Sequence, residues 1–140
     1  SAPPDALAAP APAATPTGTE TVLLVEDEAA LLKLARRLLE RLGYTVLAAS
    51  SSNQALQLAE AHTGAIHLLL TDVIMPEMSG RDLWQRLGAL RPGLKCVFMS
   101  GYTANVIAHH GVLDEGVHFL QKPFSKEALA TKLREALQGP

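Results

Sequence analysis

Five short apolar runs, at residues 21–25, 45–49, 66–70, 96–100 and 117–120, constrain the fold of this chain more than any other feature. None alternates apolar with polar residues, the pattern of a sheet with one wet face. Continuous runs of this length predict strands covered on both faces, as in a parallel sheet. Segments of helical period separate them. Within residues 29–42, Leu31, Ala35, Leu38 and Leu42 form one stripe, with Lys33, Arg36, Arg37, Glu40 and Arg41 largely off it. Leu129, Leu133 and Leu137 repeat the pattern in the last helix. Ser51 with Gln54, and Ser79 with Asp82, have capping-box spacing at the second and third helices. Gly43, Gly64, Gly93 and Gly116 stand between helix and strand, where a left-handed cap is expected. Residues 103–110 make the poorest helix, short and ending at Gly111. The order is βα five times over, which predicts one doubly wound α/β domain with right-handed crossovers.

The first twenty residues differ. They hold five of the nine prolines, seven alanines and almost no large apolar side chain. Such a stretch cannot bury enough surface to offset its ordering entropy, so residues 1–20 are read as a flexible linker and 21–138 as the domain. A net charge of -2 and scattered basic residues argue against a nucleic-acid or anionic-membrane surface. The single cysteine, Cys96, excludes an internal disulfide or a Cys-based zinc site and fits a reducing compartment. There is no apolar run of transmembrane length and no signal-peptide pattern. The opening Ser1 suggests a piece of a longer chain.

In doubly wound sheets, ligands bind beyond the carboxyl ends of the strands. There the sequence supplies Glu26, Asp27 and Glu28 after strand one, Asp72 at strand three, Ser100 and Gly101 at strand four, and Lys122 and Pro123 after strand five. Each has a plain reading: Asp27 or Glu28 as a helix cap, Asp72 as a turn residue, Lys122 as a solvated lysine. Four separate loops placing polar groups on one rim point instead to phosphoryl transfer onto a carboxylate. A hard divalent cation, Mg²⁺, relieves repulsion among the acids, while an ammonium and a hydroxyl meet the phosphoryl oxygens. Asp72, central in the sheet, is the expected nucleophile.

The segments Val22-Leu23-Leu24-Val25-Glu26-Asp27-Glu28, Leu70-Thr71-Asp72-Val73-Ile74-Met75-Pro76-Glu77-Met78-Ser79-Gly80, Met99-Ser100-Gly101 and Phe119-Leu120-Gln121-Lys122-Pro123-Phe124 resemble the receiver domain of two-component response regulators. The resemblance implies a flavodoxin-like fold with strand order 2-1-3-4-5. It makes Asp72 the acceptor of a phosphoryl group from a phosphohistidine. It assigns Mg²⁺ to Asp27, Asp72, Glu26 and the Ile74 carbonyl, phosphate binding to Lys122, and switching to Ser100 and Phe119. It also implies a cis Lys122–Pro123 peptide. Two positions depart from the commonest pattern: Glu26 stands where many relatives have aspartate, and Phe119 where many have tyrosine. Without a ring hydroxyl to hydrate, Phe119 is expected inward in both states. Bulk at Ile74 and Tyr102 is expected to slow loss of the phosphoryl group.

The implied output face comprises the fourth helix, fifth strand and fifth helix, a face that would also serve a phosphorylation-dependent dimer. Implied partners are a histidine kinase or histidine phosphotransfer domain, with no nucleic acid and no direct membrane contact. The isolated domain is read as no enzyme beyond self-catalysed phosphoryl transfer, and as cytoplasmic, with a parent that can be membrane-anchored. The linker, the stop near Gly139 and the wording around Met99 resemble the C-terminal receiver of a hybrid sensor histidine kinase; a stand-alone regulator is the alternative. An aspartyl-phosphate phosphatase of the haloacid-dehalogenase kind would want a DxD near strand one, which is absent, as are GxGxxG and GxxxxGK[ST]. His109, His110 and His118 read as loop histidines, Trp84 as partly buried packing, and Cys96 as a small apolar residue.

Overall fold

The computed structural model describes residues 15–101 and 117–138. Five strands, β1 (Thr21–Val25), β2 (Thr45–Ala49), β3 (Leu68–Asp72), β4 (Lys95–Ser100) and β5 (Phe119–Gln121), form one parallel sheet in the order β2-β1-β3-β4-β5. The helices α1 (Ala29–Arg41), α2 (Ser52–Ala61), α3 (Gly80–Leu90) and α4 (Lys126–Gln138) accompany it. The helix expected at 103–110, Tyr102, His109, His110, Gly116 and residues 1–14 of the expected linker lie outside the described residues.

Alternate residues of each strand feed two cores, which is why the strands read as unbroken apolar runs. Leu23, Val25 and Leu69 pack with Ala55, Ala59, Leu83 and Leu87 under α2 and α3. Val22, Leu24, Leu68 and Leu70 pack with Ala35, Leu39, Leu129 and Leu133 under α1 and α4. Each fully buried leucine contributes about 2 kcal/mol of burial free energy.

Several boundaries and faces differ from expectation. The β3 ladder starts at Leu68, two residues late, and runs on through Thr71 and Asp72, whose side chains are buried although polar. Ile66 is buried ahead of the ladder. β4 starts one residue earlier, and β5 covers only Phe119–Gln121. On α1 the buried stripe runs through Ala35 and Leu39 to Leu42, with Leu31 and Leu38 half-buried, so the stripe is turned toward a leucine that the periodicity left out.

Ser51 and Ser79 cap α2 and α3 as expected, each Oγ accepting from the third residue on at 3.1 Å. Gly43 and Gly93 take the left-handed conformation, at φ 101 and 90. Gly64 does not. Helix α2 closes instead on an extended His62, and the Arg91 guanidinium caps its carboxyl end, donating to the carbonyls of Ala59 (3.0 Å), His62 (2.7 Å) and Gly64 (2.9 Å).

The chain goes from β1 to β2 on one side and then crosses to β3 on the other. The carboxyl ends of β1 and β3 therefore flank the point where the winding reverses, the place where doubly wound sheets leave a crevice.

Candidate functional site

Three acids meet in that crevice. Glu26 leaves the end of β1 only 2% exposed, Asp72 ends β3 at 7%, and Asp27 faces solvent. One carboxylate oxygen from each lies within 4.8 Å of the others. Neither Asp27 nor Glu28 serves as a side-chain cap: Glu28 holds the cap position of α1 without a side-chain hydrogen bond. Its backbone N–H instead donates to Glu26 Oε2 at 3.1 Å, fixing that carboxylate.

Lys122 comes from the loop after β5, where the Lys122–Pro123 peptide is cis, as the sequence resemblance implied. Its backbone N–H donates to the Ser100 carbonyl at 2.8 Å. The ammonium then reaches across two strands to Glu26 Oε1 at 2.6 Å and Asp72 Oδ2 at 2.8 Å. One cation thus neutralises part of a cluster that carries three acids.

That imbalance shapes the protonation of the site. Burial pushes the Asp72 carboxyl up, the facing Glu26 carboxylate pushes the same way, and Lys122 only partly opposes them, leaving Asp72 at about 7. Burial would raise Glu26 too, but hydrogen bonds with Asp72 and Lys122 and the N–H of Glu28 outweigh it and hold Glu26 below the usual carboxylate range. For Lys122, desolvation favours the neutral amine, yet the two carboxylates win and the ammonium is held.

Asp72 is held from behind by the loop to α3. Gly80 donates its N–H to the Val73 carbonyl at 2.8 Å, and a Cβ at Gly80 would collide with the Asp72 carbonyl oxygen. Ser52 Oγ donates to the Met78 carbonyl at 2.9 Å, and Glu77 takes a left-handed φ of 72. Gly80 entered the sequence analysis only within a segment carrying the family resemblance; its one further signal was a glycine opening a helix just after a capping serine.

Of the other expected residues, Ser100 is buried at the end of β4, two strands of the ladder from Glu26. Ile74 is 57% exposed beside the crevice. Phe119 is half-buried and packs against the core under α2 and α3. Trp84 packs there too, and Cys96 is buried. An apolar cavity of about 380 Å³, lined by Leu31, Leu34, Ala35, Met99 and Phe124, opens beside Lys122 and Glu26.

The donor set suits a hard divalent cation: three carboxylates, one open to solvent, offer oxygen ligands while leaving room for water. No described helix is long and apolar enough to cross a membrane.

The profile of the response regulator receiver domain matches residues 22–134. The chain is 41% identical over 122 residues to the sensor kinase CckA of Brucella abortus strain 2308, covering 87% of this chain and 13% of that protein. It is 29% identical to the response regulator receiver protein CpdR of the same strain, covering 83% of this chain and 95% of that one. Among solved structures, the receiver domain of the hybrid histidine kinase CckA is similar at a TM-score of 0.70 and 37% identity, covering 84% of this chain and 99% of that one. A receiver domain from Clostridium thermocellum superposes at a TM-score of 0.73 with 28% identity, covering 85% and 94%. The chain therefore spans only a small part of the sensor kinase it matches and nearly all of a single-domain receiver. With the parallel sheet, the acidic crevice and the reaching lysine already in place, these likenesses make the chain a member of the response regulator receiver domain family, the receiver domains of two-component systems.

Proposed function

We propose that Asp72 accepts a phosphoryl group from a phosphohistidine and that the gain of charge switches the face built on β5 and α4. The observation that carries this reading is the meeting of Glu26, Asp72 and Lys122 within hydrogen-bond reach of one another. A deprotonated Asp72 oxygen attacks phosphorus, and the phosphorus–nitrogen bond to the donor imidazole breaks. That bond's electron pair stays on the imidazole nitrogen. The products are an acyl phosphate on Asp72 and a free histidine.

The residues divide the work by position. Lys122 already faces the Asp72 oxygen, so it can turn to a phosphoryl oxygen without leaving the crevice. Ser100 offers a hydroxyl from the end of β4. Glu26, Asp27, Asp72 and the Ile74 carbonyl would hold Mg²⁺, which when bound supplies charge neutralisation for the phosphoryl oxygens. Movement of Ser100 toward the new anion gives Phe119 room to settle further inward, and β5 carries that change to the surface. The bulk of exposed Ile74, two residues past Asp72, limits the approach of hydrolytic water. A donor helix can seat an apolar side chain in the cavity beside Leu34 while its histidine reaches Asp72.

The likeness to CckA supports a parent chain that is a hybrid histidine kinase, with a kinase or phosphotransfer domain as donor. Incubating the chain with a ³²P-labelled phosphotransfer domain and Mg²⁺ tests the reading. Label should move to this chain and not to Asp72→Asn; equal labelling of both would overturn it.

A further inference from the structure

Residues 18–20 lie at the pole of the domain opposite Asp72, where β1 and β2 begin. Their contacts are specific. The Gly18 N–H donates to the Leu42 carbonyl at 3.0 Å, and the Glu20 carbonyl accepts from Thr45 N–H at 3.1 Å. The two oxygens of the Glu20 carboxylate are used separately: Oε1 accepts from Thr19 N–H at 3.1 Å, and Oε2 pairs with the Arg134 guanidinium of α4 at 2.6 Å. Arg134 in turn donates through Nε to the hydroxyl of buried Tyr44 at 3.2 Å and lies 5.8 Å from the centre of its ring.

Two glycines make this passage sterically open. A Cβ on Gly18 would sit 2.5 Å from the Tyr44 ring. A Cβ on Gly43 would collide with the Gly18 carbonyl oxygen, and Gly43 is left-handed besides. The backbone before β1 is thus threaded between an aromatic ring and a turn that both leave space for it. Arg134 also holds the Glu20 carboxyl below its ordinary range, the mark of a pair formed in the folded chain.

We infer that residues 18–20 form a strap that couples the chain upstream of the domain to α4, so that displacement of one is felt by the other. Gly18 lies against the Tyr44 ring, and Arg134 sits on a helix whose Leu129, Ala130, Leu133 and Ala136 pack against the strands. A pull on the strap therefore loads α4 through the ion pair, in addition to β1 and β2 through the chain itself and the Glu20–Thr45 hydrogen bond. The inference uses none of the phosphoryl chemistry, so its failure would leave that reading intact, and the reverse holds too.

Amide hydrogen exchange by NMR on the full 140-residue chain tests it. The Gly18 amide should be protected in the unaltered chain. Gly18→Val, whose Cβ would press on Tyr44 and the Glu20 carboxylate, should speed exchange at residues 133–137 by about tenfold while Val22 and Leu24 stay as slow as before. Glu20→Gln, which keeps the shape and removes the charge, should act in the same direction to a smaller extent. A Gly18 amide exchanging at the rate of an unstructured chain would overturn the inference. So would α4 amides that neither variant moves.

Discussion

Replacing Asp72 by asparagine should stabilise the metal-free domain at pH 8 and do so less than half as much at pH 5. The reasoning starts from the crevice, where burial and the facing Glu26 raise the Asp72 carboxyl from 3.8 to about 7. A raised acid binds its proton more tightly folded than unfolded. Between those two values the folded chain holds a proton that the unfolded chain has released, so stability falls as pH rises and the loss is complete above 7. The full shift corresponds to about 4 kcal/mol, and water at the rim screens it to about 2 kcal/mol. Asparagine keeps an oxygen for Lys122 and never ionises, so it escapes the loss. Urea unfolding of both proteins in EDTA should therefore show a gain of about 2 kcal/mol for Asp72→Asn at pH 8 and about 0.8 kcal/mol at pH 5, where the unfolded carboxyl is already ionised. Added Mg²⁺ should stabilise the unaltered chain and shrink the difference, since a ligand that binds only the folded form adds its binding free energy. A variant less stable than the parent at pH 8, or a gain equal at both pH values, would refute the electrostatic account of the crevice.

Lys122→Met should cost about 2 kcal/mol at pH 8 by leaving two buried carboxylates without their cation, and should slow phosphoryl uptake; urea unfolding and mass spectrometry read the two effects. Gly80→Ala should cost about 3 kcal/mol, because the new methyl meets the Asp72 carbonyl, and its chemical-shift changes should centre on Val73 and Asp72. Arg91→Ala should cost about 2 kcal/mol in denaturant unfolding by freeing three carbonyls at the end of α2, with phosphoryl uptake unchanged. Leu34→Glu should slow transfer from a phosphotransfer domain by about tenfold while leaving uptake from a small-molecule donor as it was, since only the protein donor uses the apolar cavity.

What the sequence carried well was periodicity and chemistry at strand ends. The residues of β1 were legible to the boundary because the four after Thr21 are apolar and the acids that follow stop the run. The positions of Glu26, Asp72 and Lys122 followed from the rule that strand ends share one rim, and the structure brings those side chains within hydrogen-bond reach. Apolarity alone misplaced β3, because Ile66 is buried without joining the ladder while Thr71 and Asp72 join it despite being polar. Gly64 was misread as a left-handed cap because the true cap, Arg91, lies 27 residues further along, a distance over which no local pattern speaks. Leu39 fell outside the stripe because a helix of 3.6 residues per turn lets either of two adjacent leucines face the sheet, and tertiary packing chose. Gly80 and Gly18 were opaque for a common reason: their importance is the space they leave to a backbone or ring from another part of the chain.

The most direct measurement is the intact mass of the chain after exposure to a small-molecule phosphodonor, with and without Mg²⁺, alongside Asp72→Asn. One phosphoryl group should be gained per chain, only with the metal present and only when Asp72 is intact. Gain without Mg²⁺, or an equal gain by the asparagine variant, would contradict the assignment of Asp72 as the acceptor.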